Sequence, residues 1–224
     1  MKPVKQDKGV TLALLAAAAM FAAAPWMIMR APQEATMGLI QKIFYFHVPA
    51  AMVMFVSAFV SGIAGGLYLF RRSANAERYC TAAAEMVVVF GAIVLLTGPI
   101  WARKAWGVWW QWDARLTITL VMWLIFVAFL LLRKYGGPGS ETLSSAVALF
   151  GMANVPFVYW SVNIWRTVHP NTNVVPSLGP GMREAFWWCA AAYVLLYVAL
   201  LAARVKLEAQ RAALDELHFE IGAD

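Results

Sequence analysis

Residues 116–132 read LTITLVMWLIFVAFLLL, a stretch in which no side chain is charged. An α-helix rises about 1.5 Å per residue, so a stretch of this length comes close to spanning the roughly 30 Å hydrocarbon core of a bilayer. Lipid offers the backbone no hydrogen-bonding partner, and a helix satisfies its N–H and C=O groups internally. The stretch is therefore predicted to be a membrane-spanning helix.

Further segments of the same character flank it on both sides. We predict six spans, at about 10–29, 47–70, 82–101, 116–132, 143–164 and 185–203. The composition agrees, because 62% of the residues are hydrophobic and 13% are charged, whereas a soluble domain is about half apolar and about a quarter charged. The predicted fold class is an all-α integral membrane protein. It is a six-helix bundle in one polytopic domain (1–224), with interfacial helices or loops on its outer face.

The lysines and arginines indicate which way the bundle faces, because short cytoplasmic loops are enriched in them. One side is predicted to carry Lys2, Lys5, Lys8, Arg71, Arg72, Arg78, Arg133, Lys134, Arg204, Lys206 and Arg211. The other side carries Arg30, Lys42, Arg103, Lys104, Arg115, Arg166 and Arg183. We therefore expect both termini in the cytoplasm, with 204–224 as a tail that continues the last helix. Since these residues lie in short clusters between apolar runs, the net charge of +6 does not indicate nucleic-acid binding.

The N-terminus has some features of a signal peptide. Lys2, Lys5 and Lys8 precede an apolar run, and three alanines follow at 22–24. Pro25 comes directly after them, where cleavage would be awkward. We expect a retained first helix.

Two features inside the predicted spans are polar or small. Glu85 is costly in lipid unless it is paired or near water, so it is expected either inside the bundle or against a partner subunit. Gly62 and Gly66, like Ser61 and Gly65, have the four-residue spacing that lets helices approach closely. We interpret them as packing positions within the bundle.

The segment 102–117 carries the strongest functional signal. From Trp106 to Thr117 it reads WGVWWQWDARLT, with tryptophans at 106, 109, 110 and 112. Composition alone leaves two interpretations open. Tryptophan favours the headgroup level of a bilayer, and several indole rings also offer a flat apolar ligand a stacking surface with N–H donors. Asp113, at the start of the fourth span, has the residue type of an N-cap.

Two of the three histidines fall on the same predicted outer face. His47 lies at the mouth of the second span, and His169 lies in the loop after the fifth span, where Pro170 ends any helix. Either one alone is most often a packed, hydrogen-bonded residue. Two imidazoles beside an aromatic wall match what heme needs, because neutral imidazole is a good iron ligand. Arg103, Lys104 and Arg115 place cations close to the tryptophans, where the two propionates could be held.

The stretch 106–117 resembles the tryptophan-rich WWD signature of heme-handling membrane proteins, WGxxWxWDxRLT. Every fixed position of that pattern is present, as Trp106, Gly107, Trp110, Trp112, Asp113, Arg115, Leu116 and Thr117. The six spans, the small size and one histidine in each flanking outer loop are similar to the cytochrome c maturation protein C family, also called heme exporter protein C. The likeness extends over nearly the whole chain.

The resemblance implies a bacterial inner-membrane protein that holds heme b at its periplasmic face. It implies that His47 and His169 are the axial ligands of the iron. The remaining cofactor-binding residues are Trp106, Trp109, Trp110, Trp112, Asp113, Arg103, Arg115 and Arg166. It further implies delivery to a membrane-anchored periplasmic heme chaperone, and assembly with an ABC-type ATPase subunit, a second membrane subunit and a small single-span protein. The ATPase must be a separate chain, because this sequence has no GxxxxGK[ST] phosphate-binding loop.

Two other functions stay open. A membrane subunit of an ABC-type transporter that itself moves heme across the bilayer would need a polar path, at which Glu85 and Asn154 hint. A b-type electron carrier would place paired histidines inside the bundle, whereas His47 and His169 are predicted at one edge. We expect binding and hand-off without turnover, and assign no catalytic residue.

Overall fold

The computed structural model describes residues 7–170 and 174–222. Six long α-helices form that part of the chain: α1 (Lys8–Arg30), α2 (Phe44–Arg71), α3 (Ala74–Ala105), α4 (Ala114–Tyr135), α5 (Ser140–Ile164) and α6 (Pro180–Gly222). A short 3-10 helix, Leu39–Ile43, leads into α2, and the described residues contain no β-strand. All six helices are long and apolar enough to cross a membrane, so the predicted all-α, six-span fold is confirmed.

The helices extend beyond the apolar segments from which they were predicted. α3 begins at Ala74, where Ser73 caps it by accepting a hydrogen bond from the amide of Ala76 at 3.4 Å. The connection predicted at 71–81 is therefore mostly helical. Hydropathy marks the part of a helix that lies in lipid, whereas a cap marks where the helix itself begins.

α2 lies at the centre of the bundle. It packs against α3, α5 and α6, while α1 pairs with α6 and α4 pairs with α5. A Cβ on Gly62 would lie 2.3 Å from the Cβ of Met152, and one on Gly65 would lie 2.8 Å from the carbonyl oxygen of Ser145. Both neighbours belong to α5, so the small residues of α2 serve packing inside the bundle, as expected from their spacing.

The interior and the outward surface are both apolar. Phe90, Phe126 and Phe129 lie fully inside. Other large apolar side chains point outward, among them Phe70 at 87% exposed and Leu96 at 70%. Soluble monomers rarely expose extended apolar patches, so this outer surface is suited to contact with lipid.

Ion pairs link the helices at the end of the bundle where α1 begins. Arg204 of α6 donates to both carboxylate oxygens of Glu85, with 2.5 Å between Nη2 and Oε1, and its Nη2 also lies 2.9 Å from Glu208. Arg133 of α4 lies 2.5 Å from Glu77 of α3. Glu85, whose partner the sequence left open, is thus paired within the chain, as an ionisable group near lipid requires.

α6 is longer than the bilayer needs. It has 43 residues, which corresponds to about 65 Å at 1.5 Å per residue. Lys206 of α6 lies 3.5 Å from Asp7, so the start of α1 and this level of α6 are on the same side of the bundle. Lys2 and Lys5, which entered the predicted charge count on this side, lie outside the described residues.

Candidate functional site

A cleft lies at the end of the bundle opposite to the start of α1. It is formed by the first turns of α2, the last turns of α3, the start of α4 and the segment after α5. The cleft has two adjoining parts, which share His47, Ala51, Phe55, Trp101, Arg115 and His169. Pockets that are mainly apolar and carry a few polar groups hold small organic ligands. The lining of this cleft has that character.

His47 faces the cleft from the first turn of α2. The residue is 7% exposed, and its Nδ1 lies 2.9 Å from the Oγ1 of Thr97 on α3. The imidazole stands edge-on to the indole of Trp101, with ring centroids 5.7 Å apart. No described residue hydrogen-bonds its other nitrogen, Nε2. His47 therefore presents one engaged and one free ring nitrogen.

His169 reaches the same cleft from the segment after α5. Its Nδ1 lies 2.9 Å from the carbonyl oxygen of Pro170. A carbonyl only accepts hydrogen bonds, so Nδ1 carries the proton and Nε2 keeps its lone pair. Burial, followed by the positive charge of Arg115, lowers the pKa of His169 from 6.5 to about 4, which makes the imidazole neutral at pH 7. The residue has the protonation state that a metal ligand requires.

Asp113 connects the tryptophan segment to the His169 segment. Its Oδ1 accepts a hydrogen bond from the amide of Leu116 at 2.9 Å, which caps α4 as the sequence predicts. Its Oδ2 accepts from the hydroxyl of Thr167 and, at 3.2 Å, from the amide of Val168. One carboxylate thus caps a helix and holds the residues next to His169. The contacts with Thr167 and Val168 join positions more than 50 residues apart, so no local sequence pattern could predict them.

The structure divides the four tryptophans into two pairs. Trp106 and Trp110 line the cleft. Trp109 and Trp112, at 60% and 75% exposed, line neither part of it. Helical periodicity could not predict this division, because residues 106–113 follow α3 as an irregular segment.

Two of the tryptophans that line the cleft have indole N–H groups without a hydrogen-bond partner. Trp101 stacks on Trp106 with ring centroids 6.4 Å apart. The Nε1 atoms of Trp101 and Trp110 are buried and have no hydrogen-bond partner among the described residues. Buried donors are normally satisfied, so these two N–H groups are donors that a ligand with acceptor atoms could use.

Of the three predicted arginines, one lines the cleft. Arg115 does so, and its Nη1 donates to the carbonyl oxygens of Val158 at 2.5 Å and Tyr159 at 3.2 Å. Arg103 instead donates to the carbonyl of Gly107, whose φ of +80° turns the chain after α3. Arg166 is exposed and lines neither part of the cleft.

The sequence did not single out Thr97, which hydrogen-bonds His47, or Trp101 and Tyr159, which line the cleft. Thr97 and Trp101 are four residues apart and so share one helix face, which was a usable signal. Both lie within the third predicted span, where an apolar environment explained them without a role in a site. Tyr159 comes from α5, which supplied no motif.

Fold and cleft together define a class. The chain is a multi-pass α-helical membrane protein with an apolar, tryptophan-walled cleft at one end of its bundle, into which two histidines from separate elements project. The family model for heme exporter protein C matches residues 4–219. The chain therefore belongs to the heme exporter protein C family, and the resemblance seen in the sequence is confirmed.

Individual relatives agree with the family. The heme exporter protein C of Escherichia coli K12 is 31% identical over 212 residues, which cover 88% of this chain and 84% of that protein. The heme exporter protein C of Bradyrhizobium diazoefficiens is 34% identical over 188 residues, covering 81% and 71%. A putative cytochrome c biosynthesis ccmC-like mitochondrial protein of Marchantia polymorpha is 30% identical over 144 residues, covering 64% and 61%.

Proposed function

We propose that this chain binds heme b in the cleft, with His47 and His169 as axial ligands, and delivers it to a membrane-anchored heme chaperone during cytochrome c biogenesis. One observation carries the proposal: two histidines from separate elements line the same apolar cleft. The name of the family and of its bacterial relatives supports heme as the ligand.

The lining residues fit heme by their chemistry. Neutral imidazole ligates heme iron, and indole faces suit a flat macrocycle. Arg115 and the unpartnered Nε1 atoms of Trp101 and Trp110 are donors that propionate oxygens can accept from. Trp106 supplies a further wall. In this proposal the outer edge of the cleft is formed by residues that do not line it, namely Trp109, Trp112, Arg103 and Arg166.

The two ligands have different mechanical roles. His47 is fixed in a helix, whereas His169 lies in an irregular segment held through Asp113 and Thr167. Irregular segments open at lower free energy than helices in a packed bundle. Of the two residues that would hold heme, His169 would therefore be the easier one to release to the chaperone, and His47 would be the more firmly held.

The orientation and partners follow from the same proposal. The cleft faces the periplasm, both termini lie in the cytoplasm, and the excess of basic residues at the α1 end supports this direction. An ABC-type ATPase subunit, a second membrane subunit and a small single-span protein complete the assembly. Glu85, one of two residues that hinted at a polar path across the bilayer, is bound by Arg204. This ion pair favours binding and hand-off over translocation by this chain.

Hemin titration of the detergent-purified chain tests the proposal. We expect a low-spin, six-coordinate spectrum in both oxidation states, and covalent heme on a co-expressed chaperone. Iron-free protoporphyrin IX is the control, because it keeps the macrocycle but cannot be ligated, and it should bind more weakly. Equal binding of both porphyrins, or a high-spin spectrum, would refute the paired-histidine site.

The two classes of tryptophan provide a matched comparison. Trp110→Ala should weaken hemin binding about 30-fold, because truncating a buried tryptophan at a binding surface commonly costs about 2 kcal/mol. Trp112→Ala, in the same segment but 75% exposed, should change it less than about threefold. Dissociation constants from absorption titrations measure both. Equal losses would mean that the segment acts through its fold and not through the cleft wall.

A further inference from the structure

Thr97 is the one described residue that hydrogen-bonds the imidazole of His47. It lies on α3, one turn before Trp101, and its Oγ1 is 2.9 Å from Nδ1 of His47. Leaving a buried imidazole nitrogen unpaired costs more free energy than pairing it contributes. The hydrogen bond to Thr97 therefore affects the tautomer of the His47 ring as well as its orientation.

The direction of this hydrogen bond follows from the partners of the hydroxyl. Thr97 Oγ1 lies 2.7 Å from the carbonyl oxygen of Ile93, its i−4 neighbour in the helix. A hydroxyl has one proton, and a carbonyl can only accept it, so the threonine proton points to Ile93. Towards His47 the oxygen offers a lone pair. Nδ1 of His47 is therefore the protonated nitrogen, and Nε2 is left with a lone pair.

The surroundings of the ring leave little freedom to change this state. His47 is 7% exposed and stands edge-on to Trp101. Gly98 of α3 also lies beside the ring, because a Cβ there would be in van der Waals contact with His47 Cε1 at 3.5 Å. Flipping the imidazole would remove Nδ1 from its acceptor within a packed site.

We propose that Thr97 is a positioning residue that fixes the tautomer and orientation of His47 and increases the electron donation of Nε2. The hydrogen bonds run in one direction, from imidazole to hydroxyl to carbonyl, and such chains polarise one another. Groups that accept the outer N–H of a ligating histidine set its tautomer and raise its basicity. The part of this inference that concerns iron rests on the proposed function, whereas the part that concerns the tautomer does not.

The tautomer is measured without heme. The chain has three histidines, so ¹⁵N-histidine labelling gives few ring resonances, and His47→Ala assigns the one that matters. We expect protonated Nδ1 and unprotonated Nε2 in the unmodified protein. Thr97→Val, which keeps the shape and removes the acceptor, should shift the proton towards Nε2 or mix the tautomers. Thr97→Ser should restore the original pattern.

Heme then tests the consequence. Thr97→Val should weaken hemin binding about 10-fold, the lower end of what losing such a partner costs. It should also raise the midpoint potential, because a weaker donor stabilises ferric iron less. Thr97→Ser should stay within about threefold of the unmodified protein. Thr81→Val makes the same change at the far end of α3, where the hydroxyl bonds Glu77 and not the cleft, and should leave affinity and potential unchanged.

The outcomes separate the two levels of the proposal. An unprotonated Nδ1 in the unmodified protein, or the same tautomer, affinity and potential in Thr97→Val, would overturn the role of Thr97. If Thr97→Val does not fold, Thr97→Ala is measured in the same way. If the unmodified protein fails to bind hemin, the proposed function falls, and the tautomer spectrum still decides whether Thr97 sets the state of His47.

Discussion

His47→Ala is expected to abolish the low-spin, six-coordinate spectrum of the heme-loaded protein and to weaken hemin binding more than about 100-fold. Losing a residue that only supports a metal ligand costs roughly 10–100-fold, and losing the ligand itself costs more. His169→Ala should produce a five-coordinate spectrum with a smaller loss of affinity, because the ligand held in the helix remains. His218→Ala, in the exposed tail, is the control and should behave as the unmodified protein. Absorption titrations of the purified proteins give both quantities.

Added imidazole sharpens this experiment. A free imidazole molecule can occupy the space left by the deleted side chain, so it should restore the six-coordinate spectrum of His47→Ala and His169→Ala. The imidazole concentration that restores the variants should leave the spectrum of the unmodified protein unchanged. Unchanged heme content and spectrum in the double variant would remove the ligand assignment altogether.

Asp113→Ala is expected to impair both the stability and the site. The lost N-cap of α4 costs about 0.5–2 kcal/mol. The lost hydrogen bonds from Thr167 and Val168 to a carboxylate are worth about 1.5–3 kcal/mol each. The segment that carries His169 is then no longer held, and hemin affinity should fall at least 10-fold. Thermal unfolding and hemin titration measure the two effects separately.

Asp113→Asn distinguishes the two tasks of this carboxylate. Asparagine is as good an N-cap as aspartate, so its carbonyl can still accept from Leu116. Its amide group then faces Thr167 and Val168 as a donor, where an acceptor is required. We expect nearly normal thermal stability with weakened hemin binding and a mixed five- and six-coordinate spectrum. If both variants bind hemin normally, Asp113 is a cap and nothing more.

Most of the fold was contained in the hydropathy of the sequence. Runs such as 116–132 are apolar because lipid selects for them, and their length matches the bilayer. The ends of the helices were harder to predict. α3 begins after its N-cap Ser73, several residues before the apolar run. A helix begins where its first backbone amides are capped, whereas hydropathy indicates only which part of the helix lies in lipid.

The candidate site was predicted in part. His47, His169 and Arg115 line the cleft, as do Trp106 and Trp110. Trp109 and Trp112 belong to the same motif but point elsewhere, because the direction of each side chain in an irregular segment depends on dihedral angles that spacing does not encode. The contact between Asp113 and Thr167 depends on tertiary structure alone.

The contact of Thr97 with His47 also depends on tertiary structure and could not be predicted from the sequence. A threonine in an apolar run commonly bonds its own i−4 carbonyl and has no other role. Thr97 does this with Ile93 and still has a lone pair to offer across the helix interface. Only the approach of α2 turns that lone pair into a feature of the site.

The length of α6 has a mechanical consequence. From Arg204, which is tied to Glu85, the helix continues for 18 residues to Gly222, or about 27 Å at 1.5 Å per residue. A partner bound at the end of this helix would be held at a fixed distance and orientation relative to the bundle. Each residue inserted into the helix would rotate that partner by about 100° around the helix axis, since 3.6 residues complete a turn.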